Sequence, residues 1–528
     1  MSKVSSFLIV MTILISLGSQ SCSQMGSRSK NAGTNIKSDS SNFPLDSTLI
    51  APFFERFPDI KKYEKDLVSV YRNYNFEQIW FDKKGIVEYG NSLYSKVRDI
   101  ENEGISTPFP YQKMVDEIFT NSKEQNLSHM DTELLLTSLY LFYVDNVYKG
   151  IDNKATTLMG WLLPRKKVSY TGLLDSLISD KKLPTEDSLI LFSQYYKLRN
   201  VLKQYRNIEA KGGWSPIDID PERKFYKPND SSKVIQQIRQ RLFMTADIAE
   251  NNGSNIYDKE LVAAVKKYEV RNGFKPNSRI SPEHIEAMNV PVSELIKTIV
   301  VNMERCRWMS PQYFQAKEYI FVNIPSYKME MFRDGQIEFE SPVVVGDSST
   351  ATDIFGGKMS YIVFSPYWNL PKSIIEKEVK PGIEKNKNYL KKHNMEWNKG
   401  LVRQKPGKNN SLGLVKFMFP NSNDVYFHDT PAKSAFNKEN RAISHGCVRV
   451  QKARELALTI LKDDETWTPA KIDAAMHAGK ESKCTLKNKI PVYIGYFTSW
   501  VDEQGEINFY KDIYDNDERL AEMLYYKK

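Results

Sequence analysis

The sequence predicts an α+β multidomain protein: a helical N-terminal region, a small three-helix unit, and a mainly-β C-terminal region. Three observations carry that reading. Apolar residues fall at helical spacing in 132–150 (Leu134, Leu135, Leu139, Leu141, Phe142, Val144, Val147) and in 187–205 (Leu189, Leu191, Phe192, Tyr195, Leu198, Leu202). Between 231 and 290, three short helical patterns are separated by Gly273 and by Ser281-Pro282, residues that stop and start helices. From Glu318 onward the pattern changes to strand-length alternating or apolar runs, and Asp334-Gly335 reads as a two-residue hairpin turn. A chain of 528 residues is too long for one ordinary core, which suggests about three units.

In chain order, Lys3 precedes an apolar stretch from Phe7 to Leu17, too short to span a bilayer and suited to the core of an export signal. Ser19-Gln20-Ser21-Cys22 follows, and a small residue before a cysteine resembles a bacterial lipoprotein processing site, although Ser19 and Gln20 depart from its commonest, leucine-containing form. Residues 1–22 are therefore expected to be a lipoprotein-type signal peptide with Cys22 as the lipidated residue. Residues 23–41, rich in Ser, Asn, Lys and Gly, are expected to be a flexible tether.

Residues 42–223 read as a helical domain whose leucines and aromatics form core rather than a ligand platform. In 231–290, helices are expected over Val234–Phe243, over Asp258–Asn272 and after Ser281-Pro282, with Leu261, Val262, Val265 and Tyr268 as the apolar face of the middle one. A linking helix over Val292–Arg305 leads to the β region, 316–528. Strands are expected over Glu318–Ile324, Lys328–Arg333, Gln336–Val345, Ser360–Phe364, Leu414–Phe419 and Val425–Phe427. Helix returns over Val450–Leu461, and Pro491–Trp500 with Glu506–Tyr510 is expected to complete a sheet. The segment at about 366–413, long and rich in Lys, Asn, Trp and Pro, reads as an active-site cap.

The net charge of +9 arises from 74 basic and 65 acidic residues spread along the chain, which weakly favours an anionic partner. No dense basic run marks a nucleic-acid site, so no nucleic acid is expected as a partner. Beyond Cys22 and Cys447, only Cys306 and Cys484 remain; no disulfide framework is indicated, and these two could pair or stay free.

The chemistry concentrates in Ser444-His445-Gly446-Cys447-Val448-Arg449-Val450, which follows His428 by 19 residues in a chain holding only six histidines. A catalytic thiol needs a base or a positive neighbour to raise its thiolate fraction, and His428 and Arg449 could supply these. Backbone N–H groups around Gly446 and Cys447 are candidate oxyanion donors. Rival readings stand beside this one. A lone cysteine is most often a small buried hydrophobe. His428, Asp429, His445 and Cys447 could ligate zinc, but the paired spacings of structural zinc sites are absent. A papain-like protease places its cysteine before its histidine, the reverse of this order. His445 could serve a structural role beside Gly446, so the base role goes to His428.

The run His428-Asp429-Thr430-Pro431, then Ser434, Phe436-Asn437 and Arg441, then Ser444 to Arg449, resembles the catalytic signature of L,D-transpeptidases with a YkuD-type catalytic domain. Tyr367-Trp368-Asn369-Leu370-Pro371, Pro406 to Gly413, Val415-Lys416-Phe417 and Phe419-Pro420-Asn421 resemble the large, periplasmic YcbB-like branch of that family. Residues 231–290, with Tyr268 to Phe274, look like a small three-helix peptidoglycan-binding domain, though a degenerate spacer is almost as consistent because the usual Phe-Gln is substituted. The resemblance implies a helical scaffold domain before it. It also implies Cys447 as nucleophile, His428 as base, and the Asp429 backbone carbonyl as the group orienting the imidazole; many members carry glycine at that position, which leaves the third role open. His445, Gly446 and Arg449 are supporting or positioning residues, and Trp368 and Asn369 substrate contacts. The expected activity is cross-linking of peptidoglycan stem peptides through a thioester, with no metal or organic cofactor, glycan as a further partner, and a membrane reached through the N-terminal lipid. Hydrolysis or D-amino-acid exchange by the same acyl-enzyme, and a non-catalytic wall-binding scaffold, remain alternatives.

Overall fold

Helix α1, His129–Val144, is the centre of the N-terminal region in the computed structural model, which describes residues 44–120, 127–183 and 190–525. Ser128 caps α1 by accepting the Asp131 N–H at 3.0 Å. Every residue from Asp131 to Val144 is buried, so α1 is enclosed on all sides and does not present the single apolar stripe of a surface helix. Glu133 is tolerated inside because its carboxylate accepts the Ile79 N–H at 2.6 Å, the Trp80 N–H at 3.1 Å and the Tyr71 hydroxyl at 2.8 Å. Burial nonetheless pushes its pKa up to about 7. The helical pattern expected to reach Gly150 continues as a π turn over Asp145–Lys149. The expected signal peptide, Cys22, the tether and residues 187–189 of the second helical pattern lie outside the described residues. No helix among the described residues is long and apolar enough to cross a membrane.

Helix α2, Ser193–Ala210, follows in the same region. Helices α3 (Lys233–Met244), α4 (Lys259–Arg271) and α5 (Pro282–Met288) form the central unit. Asp258 caps α4 by accepting the Leu261 N–H at 2.9 Å, and Ser281 with His284 forms a capping box on α5. This unit has its own core of Ile235, Ile238, Leu261, Val265 and Tyr268, which also draws in Ile217 from upstream. The β region, by contrast, shares one continuous core with the scaffold helices.

The element that joins them is α6, Val292–Trp308, expected as a link and found as a spine, with every residue from Ile299 to Trp308 buried. Its Glu304 accepts the Ile151 N–H at 2.7 Å and the Trp308 indole N–H at 2.8 Å, and pairs with Arg307 at 2.8 Å. Arg307 in turn donates to the Glu103 and Val147 carbonyls of the scaffold at 2.5 and 3.2 Å. On the β side, Asn302 accepts the Thr498 N–H at 2.9 Å and Arg305 pairs with Asp517 at 2.6 Å.

The main sheet of the C-terminal region has nine strands: β1 (Glu318–Asn323), β2 (Lys328–Arg333), β3 (Gln336–Gly346), β4 (Gly356–Phe364), β5 (Val415–Met418), β6 (Phe427–His428), β7 (Ala442–Ser444), β8 (Val448–Val450) and β9 (Ser482–Gly495). Their order is β7-β3-β8-β6-β5-β4-β9-β1-β2, and β2 pairs back onto β3, so the sheet closes on itself. The β2–β3 turn is at Asp334-Gly335, both with positive φ (49° and 78°), the conformation a two-residue hairpin demands. Helix α7, Ala453–Ile460, follows β8. Residues 499–501 and 507–509 pair only with each other instead of completing the main sheet. The cap has a three-stranded sheet (368–369, 395–398, 401–404) and a small core of its own around Leu370, Ile375, Val379 and Val402.

Removing Arg307 leaves Glu304 buried without its cation, takes the Arg307 donor from the Val147 carbonyl, and leaves the Glu103 carbonyl only the long bond from the Tyr195 hydroxyl. Arg307→Ala is expected to destabilise the protein by about 3–5 kcal/mol, read as a lowered denaturant midpoint; an unchanged midpoint would show that α6 does not hold the two regions together.

Candidate active site

Strand register assembles the site. β6 pairs with β8 in parallel, Phe427 opposite Val448 and His428 opposite Arg449, and pairs antiparallel with β5, Lys416 opposite His428. Directly opposed residues share a face and successive residues alternate. Phe427, Val448 and Val450 are buried on the core side, so Tyr426 and Cys447 belong to one row of the opposite face and Lys416, His428 and Arg449 to the next. Rows two residues apart along a strand are separated by about 6.5–7 Å, within reach of a thiol and an imidazole on neighbouring strands. The 19-residue separation of His428 and Cys447 is thus closed by a ladder.

His428 is buried, and its Nδ1 lies 2.5 Å from the carbonyl oxygen of Asp429. A carbonyl only accepts, so Nδ1 carries the ring proton and Nε2 is left as an acceptor. Burial, with Arg449 and Lys416 as nearby cations, pulls its pKa down to about 4, against the support of the Asp429 carbonyl. Asp429 itself is held from three sides. Its N–H donates to the Val415 carbonyl at 2.9 Å, and its carboxylate accepts the Leu414 N–H at 2.9 Å and pairs with Lys433 at 2.7 Å. Gly413, at φ 62°, passes so close that a Cβ there would run into the Asp429 carboxylate. The side chain at 429 therefore has its own room and partners while the backbone carbonyl meets the ring.

The Cys447 thiol donates to the Asp424 carbonyl at 3.7 Å, not to His428. Burial pushes its pKa up, and the nearby Tyr426 and Arg449 only offset this. Burial thus outweighs the positive neighbour, and the two shifts both favour the neutral forms of Cys447 and His428. One rotation about χ1 separates the thiol from a new partner.

The loop carrying Cys447 is fixed by hydroxyls. Ser444 Oγ donates to the Cys447 carbonyl at 2.7 Å and accepts the Gly446 N–H at 3.3 Å. Thr350 and Thr352 donate to the carbonyls of Ser444 and Gly446 at 2.9 and 2.7 Å. Gly446 adopts φ 103°, open to glycine and strained for other residues. Because the Gly446 N–H is engaged, the Cys447 N–H, with no acceptor among the described residues, is the better oxyanion donor.

His445 points away from the chemistry: it is exposed and its Nε2 lies 3.7 Å from Glu378 of the cap. Arg449 is half-buried beside His428. Trp368 reaches the site indirectly, near the Tyr426 side chain, which in turn adjoins Cys447. Asn369 is exposed on the cap and hydrogen-bonds to neither Cys447 nor His428. Tyr426 is the functional candidate that sequence reasoning missed; its signal was the alternation that sets residue 426 on the face of 428. Cys306 and Cys484 are buried and unpaired. No group of three or more His, Cys, Asp or Glu among the described residues is placed to hold a metal ion. A cavity of about 1030 Å³ lies elsewhere, between α2, the Gly273–Phe274 loop and the outer face of β1 and β2, and neither Cys447 nor His428 lines it.

A neutral thiol and a tautomerically fixed imidazole on a closed sheet, beside a helical scaffold, define a candidate acyl-transfer domain. Residues 317–472 match the YkuD family, an L,D-transpeptidase catalytic domain, and residues 65–202 match a scaffold-domain family. The chain carries a YkuD L,D-transpeptidase catalytic domain over these residues. A Haemophilus influenzae protein provisionally named an L,D-transpeptidase is 34% identical over 249 residues, 43% of this chain. The match spans about half, 50%, of that curated relative's length. Among solved structures, an L,D-transpeptidase from Mycobacterium smegmatis aligns at TM-score 0.20 and 11% identity over 34% of this chain and 59% of that one. An L,D-transpeptidase from Stackebrandtia nassauensis aligns at TM-score 0.21 and 15% identity over 53% of this chain and 97% of that one. Likeness at that level is slight.

The depressed His428 pKa has a sign that can be checked. With a folded value of about 4 against an ordinary 6.5, His428 stays neutral as pH falls, while the unfolded chain gains its proton first. Its contribution to stability is full above about 6.5 and is lost as pH falls from there to about 4. Imidazole NMR is expected to show His428 neutral and Nδ1-protonated at pH 6; a ring that titrates near 6.5 would contradict this reading.

Proposed function

We propose that this chain is an exported peptidoglycan L,D-transpeptidase that works through a cysteine thioester. The observation that supports it most is the pair of adjacent rows on the sheet face, with Cys447 beside His428 and the imidazole presenting Nε2, in a YkuD domain. The acyl donor is a tetrapeptide stem. Cys447 attacks the carbonyl of its third, diamino-acid residue after Sγ swings from Asp424 toward Nε2. His428 takes the thiol proton, the tetrahedral oxyanion is met by the Cys447 N–H and the Tyr426 hydroxyl, and the proton passes to the departing D-alanine amine. A side-chain amine of a second stem then attacks the thioester, His428 removes its proton, and Cys447 leaves. The Asp429 carbonyl holds the imidazole throughout. Trp368 and Asn369 line the substrate's approach from the cap, and His445 with Gly446 shapes the loop. The scheme uses no metal or organic cofactor.

In the same reading the chain belongs to the large YcbB-like branch, residues 231–290 engage glycan, and lipidated Cys22 tethers the enzyme to a membrane of the cell envelope, facing the periplasm. Cys22→Ala is then expected to move the protein into the soluble periplasmic fraction, since the acyl chains supply the apolar burial in lipid; a membrane fraction that is unchanged and carries no lipid mass on the mature N-terminus would remove the anchor from the proposal.

Incubation with tetrapeptide muropeptides is expected to yield cross-linked dimers by mass. Tripeptide alone would indicate hydrolysis, D-amino-acid-exchanged stems would indicate exchange, and unaltered tetrapeptide would leave a wall-binding scaffold. Cys447→Ser is expected to lose nearly all turnover while folded, and His428→Ala to slow acylation by a factor on the order of 100 or more. A carbapenem is expected to add once to the parent protein and not to Cys447→Ser; an adduct that persists there, mapped to Cys306 or Cys484, would reassign the nucleophile.

A further inference from the structure

The row that holds His428 also holds two cations with no acid opposite them. Register extends it across five strands as Val363, Lys416, His428, Arg449 and Val344, so both outer neighbours are apolar. The Arg449 guanidinium makes no hydrogen bond and no ion pair with any described residue. The Lys416 ammonium donates one long hydrogen bond, 3.4 Å, to the Tyr367 carbonyl. Glu481 acts on it only at a distance, its carboxylate being taken by the Tyr367 N–H at 2.8 Å. Several other cations of this domain have acids: Lys328 lies between Glu330 and Glu340, Arg333 pairs with Glu318, Glu338 and Asp463, and Lys433 pairs with Asp429, while the half-buried Arg441 lies over the Tyr327 ring.

Lys416 and Arg449 are both half-buried, and desolvation pulls both pKa values down. Two unpaired cations taken partly out of water are unfavourable unless an anion joins them. Strands are about 4.8 Å apart, so the two side chains start within roughly 10 Å of each other and are long enough to meet an anion lying over the row. We propose that Lys416 and Arg449 form a carboxylate subsite flanking His428, which fixes the register of a carboxylate-bearing peptide against Cys447. The peptide in this statement rests on the proposed function; the subsite itself is testable without it.

The test uses the full chain and two isosteric alkylating agents, anionic iodoacetate and neutral iodoacetamide. In each case the Cys447 sulfur forms a bond to the methylene carbon, iodide leaves, and the thiol proton passes to His428 or solvent. The expected result is saturable alkylation of Cys447 by iodoacetate on the order of tenfold or more faster than by iodoacetamide, because a charged recess concentrates the anion. Peptide mapping separates Cys447 from the buried Cys306 and Cys484. Lys416→Met and Arg449→Met should each reduce the preference and Lys416→Arg should keep it. A parent protein without the preference, or one whose preference survives both methionine variants, overturns the subsite; survival in Lys416→Met alone overturns the paired arrangement. Should a variant fail to fold, protection of the parent against iodoacetamide decides: propionate must protect Cys447 and propionamide must not. Muropeptide turnover measured in parallel separates the readings, since an anion preference without cross-linking keeps the subsite and removes the transpeptidase.

Discussion

The parallel pairing of two very short strands, Phe427–His428 and Val448–Val450, is the constraint on which the site depends. It alone converts a 19-residue separation into adjacency. A slip of one residue would turn Cys447 and His428 to opposite faces of the sheet. So short a ladder cannot hold its own register, and much of the surrounding polar structure guards it. Val448 donates to the Tyr426 carbonyl at 3.3 Å, Ser444 bonds across its loop to Cys447, and Thr350 and Thr352 reach in from the segment after β3. Thr352 also accepts the Gly346 N–H at 2.9 Å, and its own N–H meets the Tyr514 hydroxyl at 3.1 Å. The Cys447 loop is therefore anchored to the end of β3 and to the C-terminal segment together.

Burial then decides the chemistry the pair can perform. A more exposed cysteine beside a protonated histidine would rest as an ion pair, but desolvation here penalises charge on both partners and leaves both neutral. Such a pair loses little as long as the proton moves together with the nucleophilic attack, because charge then develops on the substrate oxygen and meets fixed donors. The same desolvation is what makes Lys416 and Arg449 conspicuous. In water two such cations need no explanation; half-buried side by side in one row, each lacks the carboxylate that Lys328 and Arg333 of the same domain have.

Much of this was legible in the sequence, for reasons that differ by element. The Asp334-Gly335 hairpin, the Asp258 and Ser281 caps and the β1–β3 strands follow from local turn and capping chemistry, and each lies where its residues direct. Cys447 and His428 stood out because reactive residue types were close in a chain poor in histidine. What could not be read was set by packing at long range. Helix α1 has apolar residues on so many faces that periodicity reports only a helix, not its enclosure. Helix α6 was legible only as a link; its Glu304, Arg305 and Arg307 are buried because their partners, Glu103, Ile151 and Asp517, come from distant segments. The cap strands are short and charged, and their core of five residues is too small to leave a pattern. Tyr426 and Lys416 were visible as strand residues, but only the register shows which row each joins.

The cap and His428 share one set of bonds. The segment that forms the cap leaves the sheet after Ser365 and returns at Leu414, and the Ser365 N–H donates to the Leu414 carbonyl at 2.9 Å to close its neck. The N–H of that same Leu414 donates to the Asp429 carboxylate, while the Asp429 carbonyl orients His428. A glycine at 429 would supply the carbonyl equally well but not the carboxylate, so the aspartate adds a mechanical link between neck and imidazole. From the other side, Trp368 touches Tyr426, and Tyr426 adjoins Cys447. A displacement of the cap would therefore pull on His428 through Leu414 and on the neighbour of Cys447 through Trp368 at once, so neither side chain is positioned independently of the cap.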